Sequence, residues 1–282
     1  MSTLRGVTET GSILDRIVAD ARPLVERAQR EQPESMLREG FGKHDAQWGL
    51  SSSLRLPRGL APAAALVQIV AEIKKASPSR GVLAEMMDPE AIARAYSLGG
   101  AAGISILTEP NYFLGSLDHL SAVRLRLATD FPGTRPSLLR KDFLVDPYEL
   151  VQSRAYGADT VLLIVALLDV ALLRDLMAQA EALELDALVE VHTEAEAERA
   201  VSAGATLFGI NNRDLHTFEV DLAVTERIRP LLPADAVVVG ESGVHTRSDV
   251  ERLRRAGIRA ILVGEAFMTA TDVAAKMNEL RL

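Results

Sequence analysis

The chain has 282 residues, of which 48% are hydrophobic and 25% charged, the proportions of a globular protein able to bury a large core rather than of a disordered chain. A formal charge of −8 argues against a nucleic-acid partner but leaves room for a local basic pocket that takes a phosphorylated small molecule, and the absence of cysteine excludes a disulfide framework, a thiolate zinc site and a cysteine nucleophile. No apolar run approaches the ~20 residues of a membrane span, the longest being 161–168, and residues 1–14 are too polar for a signal peptide, so the expectation is a cytoplasmic protein with no membrane contact.

Taken in chain order, Ser12 reads as a helix N-cap, and the apolar residues that follow it to residue 31 fall at helical spacing, with Pro23 expected to break the helix or to start a new first turn. Between residues 34 and 60 the pattern dissolves into glycines, Ser51, Ser52, Ser53 and Pro57. This stretch predicts no definite structure. A mobile flap, a connector lying on the main domain and partial disorder all fit it, and the only tryptophan, Trp48, would be a packing anchor for a connector.

From residue 65 the chain alternates. Short β-branched or apolar runs end near Lys74, Leu107, Asp142, Val165, Val191, Ile210, Gly240 and Gly264, and each is followed by a segment rich in Ala, Leu, Glu and Arg. The predicted helices are 89–98, 117–128, 147–156, 169–183, 194–203, 222–231, 246–256 and 270–280. Gly99 with Gly100, and Gly157, Gly204 and Gly257, stand where a helix C-terminus wants positive φ. Strands such as 160–165 are apolar throughout, as expected when both faces are covered. Eight such units in roughly 200 residues predict a (β/α)8 TIM barrel over 61–282 with an N-terminal helical extension and connector over 1–60. An open doubly wound sheet is the alternative, weakened because no G-x-G-x-x-G follows the first strand.

In such a barrel the working face lies at the carboxyl ends of the strands, and the unusual polar residues fall there. The stretch IVAEIKKASPSRG at 69–81 runs an apolar strand out into a loop, with Glu72 and Lys74 two apart and so on one face. The third strand ends at Lys141, the fifth at Glu190, the sixth at Asn211 and the seventh at Glu241 and Ser242. A strand-end charge is often only solvated or paired, but recurrence on most strand ends of one barrel favours chemistry. Only five of the 31 basic residues are lysines, and an ammonium that can change protonation state stands at the first and third strand ends. Glycine-containing turns at Gly243 and Gly264–Glu265 follow the seventh and eighth strands, where a phosphate is commonly held by backbone N–H groups. Glu265 would contribute through its backbone with the carboxylate turned away. Asp142 would point out of the barrel and Phe143 back in as an apolar wall. His192 lies beyond the fifth strand and is expected to make a structural hydrogen bond. The other histidines share no spacing, and no metal site is expected.

The motifs AEIKKASPSRG at 71–81, SILTEPNYFLGS at 105–116, LLRKDF at 138–143, LVEVHTEAEA at 188–197, GINNRDL at 209–215 and GESGV at 240–244 resemble indole-3-glycerol phosphate synthase, in the right order and over about residues 65–270. The N-terminal helix is similar too. The chain departs from the family in residues 33–60 and at Glu149, where the family often has glutamine. The resemblance implies closure of 1-(2-carboxyphenylamino)-1-deoxyribulose 5-phosphate to an indole with loss of CO2 and water, a step of tryptophan biosynthesis that needs no cofactor or metal. It further implies Lys141 as the general acid of ring closure, Glu190 as the base, Lys74 as a second acid or an anion-binding group, Glu72 as their charge balance, and Asn211 with Ser242 on the substrate hydroxyls. Ser77 and Arg213 would meet the anthranilate carboxylate, Phe143 would be the wall, Glu241 would bind substrate, and Gly243, Gly264 and Glu265 would hold the phosphate. A sibling phosphate-binding barrel isomerase would lack the paired lysines of the first and third strands. A catalytically silent paralogue acting as a regulatory subunit would not keep every one of these positions filled. No feature of the sequence names a protein partner.

Overall fold

A computed structural model describes residues 5–41, 47–55 and 66–282. Eight strands, β1 (Gln68–Ile73), β2 (Gly103–Leu107), β3 (Ser137–Lys141), β4 (Thr160–Ile164), β5 (Asp186–Val191), β6 (Leu207–Asn211), β7 (Val237–Glu241) and β8 (Ala260–Val263), pair in parallel and close into a barrel through β1 and β8. Each β-branched run is short and covered on both faces, so the strands are buried almost throughout, and this is why they read as apolar runs rather than as alternations. Register follows from the pairing. Glu72 stands beside Ser105, Ile164 beside Glu190, Asn211 beside Glu241, so the polar strand ends converge on one mouth.

The helices begin where capping chemistry says they should. Asp88 precedes α4 (Pro89–Leu98), Ser116 precedes α5 (Leu117–Asp130), and Asp146 with Glu149 forms a capping box for α6 (Pro147–Ala155). Asp169 caps α7 (Val170–Ala182), Thr193 caps α8 (Glu194–Ala203), and Thr246 caps α10 (Arg247–Ala256). Glycines 100, 157, 204 and 257 have positive φ, whereas Gly99 (φ −69) keeps the helical region. Between α8 and α10 lies α9 (Ala223–Ile228), continued by a 3-10 turn. The last predicted helix divides into α11 (Glu265–Met268) and α12 (Val273–Leu280).

The N-terminal region differs from expectation in two respects. Helix α1 (Ile13–Glu31) runs straight through Pro23, which lies on the exposed face, where the Ala19 carbonyl it leaves without an N–H partner is open to water. Of the readings left open for the connector, its described residues follow the one that lies on the main domain: α2 (Glu34–Arg38) lies on α6, and α3 (Leu50–Leu54) plugs the barrel floor with Leu50 and Leu54 buried. Trp48 is not the anchor, since its side chain is half exposed while its backbone N–H donates to Asp159. The serines that suggested a loop serve instead as the polar face of α3, whose first turn donates backbone N–H groups to Thr160 and Asp186 at the starts of β4 and β5. The boundary expected near residue 60 lies outside the described residues.

Candidate active site

Lys141, the last residue of β3, points into the barrel mouth with its Nζ 2.6 Å from Glu190 of β5 and 3.0 Å from Glu241 of β7. Both carboxylates are buried, so each must be paired to remain charged. Burial works to lower the Lys141 pKa, but Glu190, Glu241 and the more distant Glu72 outweigh it and hold the ammonium charged. Burial likewise works against the Glu190 anion, and the Lys141 and His192 charges overcome it to hold its pKa well below the ordinary value. Glu241 goes the other way. Burial and repulsion from Glu190 push it up to about 8 against the pull of Lys141. Two adjacent acids of unlike protonation, bridged by one ammonium, form the equipment of acid–base catalysis.

Two glycines make this convergence possible. A Cβ on Gly209 of β6 would collide with Glu241 Oε1, and one on Gly264 would collide with Glu72 Oε1. Gly264 therefore leaves room for a carboxylate in the barrel as well as for any ligand beyond it. Glu72 itself pairs with Lys74 at 2.6 Å, both largely buried, and Asn211 donates to Glu190 Oε1 at 3.3 Å while accepting the Arg213 backbone N–H.

These groups line one cavity of about 180 Å3 together with Ser77, Phe143, Arg213, Ser242, Gly243, Gly264 and Glu265. Every candidate from the sequence thus borders a single space. Asp142 turns to Arg140 and Thr108, outside the Lys141 cluster, and Phe143 faces in. The hydrogen bonds of Asn211 go to Glu190 and Arg213, whereas Ser242 is anchored through its carbonyl by the neighbouring Asn212. Ser242 (φ 62) and Gly243 (φ 81) lie in succession in the left-handed region, which turns the chain sharply after β7. The Glu265 carboxylate is turned aside onto Arg80 at 2.8 Å.

Beyond Phe143, sequence reading missed the apolar lining of the site. Phe113 stands 5.8 Å from Phe143, and Leu14 and Ile17 of α1 cover the cavity. Glu109 holds the Phe113 loop by accepting the backbone N–H groups of residues 111, 112 and 113, and Tyr112 fastens that loop to α1 through Asp20 at 2.5 Å. The signal was present in the SILTEPNYFLGS motif, but a loop acid aimed at its own backbone is not distinguishable from a surface acid without the fold. His192 makes the expected structural contact, Nδ1 lying 3.1 Å from Glu196, and also touches Glu190. Among the described residues no group of three His, Asp or Glu is arranged to hold a metal ion, and no helix is long and apolar enough to cross a membrane.

A family model described as indole-3-glycerol phosphate synthase matches residues 14–280. Curated proteins of that name are similar over nearly their whole length: one from Dehalococcoides mccartyi strain 195 is 45% identical over 269 residues, covering 95% of this chain and 99% of the relative. One from Roseiflexus sp. RS-1 is 44% identical over 271 residues, covering 95% and 98%, and one from Mycolicibacterium vanbaalenii is 44% identical over 273 residues, covering 96% and 94%. Among solved structures, a 3-hexulose-6-phosphate synthase superposes with a TM-score of 0.58 at 17% identity, covering 76% of this chain and 98% of that one, a likeness of fold alone.

Proposed function

The chain belongs to the indole-3-glycerol phosphate synthase family, and we propose that its Lys141 cluster performs the ring closure for which the family is named. The substrate on this reading is 1-(2-carboxyphenylamino)-1-deoxyribulose 5-phosphate. The observation that carries the reading is one ammonium shared by two buried carboxylates of unlike pKa beside a pair of aromatic rings.

In the first step the ring carbon bearing the carboxylate attacks the ketone carbon, and the carbonyl oxygen takes a proton from Lys141 Nζ to become a hydroxyl. The carboxylate then leaves as CO2, and its bonding electrons restore the aromatic ring. Phe143 and Phe113 supply an apolar wall against which that departure is oriented. In the last step the hydroxyl leaves as water with a proton from Lys74, while Glu190 takes the proton from the neighbouring carbon to complete the indole. Glu72 balances the lysines, Asn211 and Ser242 hold the sugar hydroxyls, and Glu241 binds substrate as a largely protonated acid. Ser77 and Arg213 meet the carboxylate, and the backbones of Gly243, Gly264 and Glu265 meet the phosphate. The division into an extension over 1–60 and a catalytic barrel over 61–282, and a cytoplasmic location, belong to the same proposal.

The test is indole fluorescence appearing on addition of the substrate. Lys141→Met should leave the barrel folded and abolish the signal. Near wild-type turnover in that variant would sink the assignment of Lys141 as the acid.

A further inference from the structure

Glu190 and Glu241 press on the same Nζ from alternate strands, and one ammonium does not keep two dry carboxylates charged. Something must break the tie. Glu241 Oε1 lies over Gly209 with no hydrogen-bond partner, whereas Glu190 Oε1 faces both Asn211 and His192. Lys141 serves both acids and Asn211 is neutral, so the charge that touches Glu190 and not Glu241 is the histidine's.

His192 is the first residue beyond β5. Its side chain is 6% exposed, with Nε2 3.2 Å from Glu190 Oε1 and Nδ1 3.1 Å from Glu196 Oε2. Glu196, in the first turn of α8, also accepts the His192 backbone N–H at 2.8 Å, so one carboxylate fixes both the ring and the main chain. Nε2 is off the hydrogen-bond direction to Glu190, and its influence there is mainly electrostatic. We propose that His192 is a positioning residue which holds the negative charge of the Lys141 cluster on Glu190 rather than on Glu241. Its catalytic consequence rests on the reading that Glu190 is the base.

The charge state fits. Burial works to lower the His192 pKa, but Glu190 and Glu196 on its two sides raise it to about 9. Behind the ring a second, polar cavity is lined by Glu9 of the N-terminal segment, Arg199 of α8, Arg213, Asp214 and His216 after β6, and Arg227 of α9, which is paired with Glu194. Glu219 and Asp221 line it as well, so charges of both signs there largely offset one another, and the two touching carboxylates dominate.

The experiment follows the Glu190 and Glu241 carboxyl 13C shifts against pH in full-length wild type and in His192→Gln, alongside the pH profile of kcat/KM. His192→Gln keeps a polar side chain of similar reach without the charge. The expected result is that Glu190 titrates about one unit or more higher in the variant and the acid limb of kcat/KM moves up with it, while kcat and KM on the neutral side of that limb change little. Glu196→Gln, which leaves the ring in place, should shift both in the same direction by less. An unmoved Glu190 titration and acid limb in folded His192→Gln overturns the proposal, and if that variant does not fold, an unmoved titration in Glu196→Gln does so instead. Turnover retained in Glu190→Gln would remove the base assignment alone, because the carboxyl titrations are read without catalysis.

Discussion

The barrel carries a buried ion cluster at each end. At the floor, Asp159 has no exposed surface and accepts from both sides of Arg135 at 2.6 and 2.9 Å, from Arg124 at 2.9 Å and from the backbone N–H groups of Leu138 and Trp48. At the mouth, one lysine serves two carboxylates, and Glu241 Oε1 and His192 Nε2 have no directed partner. Both clusters are costly to desolvate, and they spend that cost differently. The floor compensates its anion fully with guanidinium forks that do not change protonation state, which ties β3, β4, α5 and the connector together. The mouth is left under-compensated with groups that can change protonation state, which is unfavourable for stability and, on the proposed function, useful for catalysis.

Substitutions at the two ends should therefore separate cleanly. Asp159→Asn removes the carboxylate that both arginines face and should cost about 3–5 kcal/mol, seen as a lower denaturation midpoint, while the turnover of the remaining folded molecules stays near wild type. Lys141→Met should show the reverse, and equal losses of stability in the two variants would erase the distinction. Leu50→Ala, on the plug that shares the floor, should cost about 2–4 kcal/mol with kcat/KM unchanged. A loss of activity there would show that floor and mouth are coupled. For the same reason a deletion of residues 1–60 tests two things at once, because it removes both the roof helix α1 and the floor plug α3.

The smallest effect concerns pH. Glu149 is buried in the first turn of α6, and burial, opposed by Arg140 and by the Val145 and Asp146 N–H groups, pushes its pKa up to about 7. A carboxyl whose pKa is raised on folding binds more protons folded than unfolded, so its contribution to stability falls as pH rises from the ordinary glutamate value of about 4.5 through about 7. Glu241 and His192 add the same sign up to about 8 and about 9. Stability should thus decline between pH 5 and 9, and Glu149→Gln should recover roughly 1–3 kcal/mol above pH 7 and nothing below pH 4, since glutamine can keep the capping box. Equal midpoints for the two proteins at pH 8 would refute it.

The barrel was legible because its information is local. Eight apolar runs, each followed by a capped helical segment, recur along the chain, and the parallel fold puts every strand end on one face, so Glu72, Lys141, Glu190, Asn211 and Glu241 group together from the sequence. Residues 34–54 were not legible because Leu50 and Leu54 make sense only against the underside of strands far away in the chain, and Pro23 read as a break because exposure, which makes it tolerable, is not written in spacing.

The sequence by itself determined which residues reach the mouth of the barrel, since alternation along a strand and the polarity of its ends are properties of neighbouring residues. The tertiary structure decided what each residue is once there. Whether Glu190 or Glu241 is the anion depends on His192, Gly209 and the depth of burial, and these are distances between β5, β6 and β7 rather than patterns within any of them.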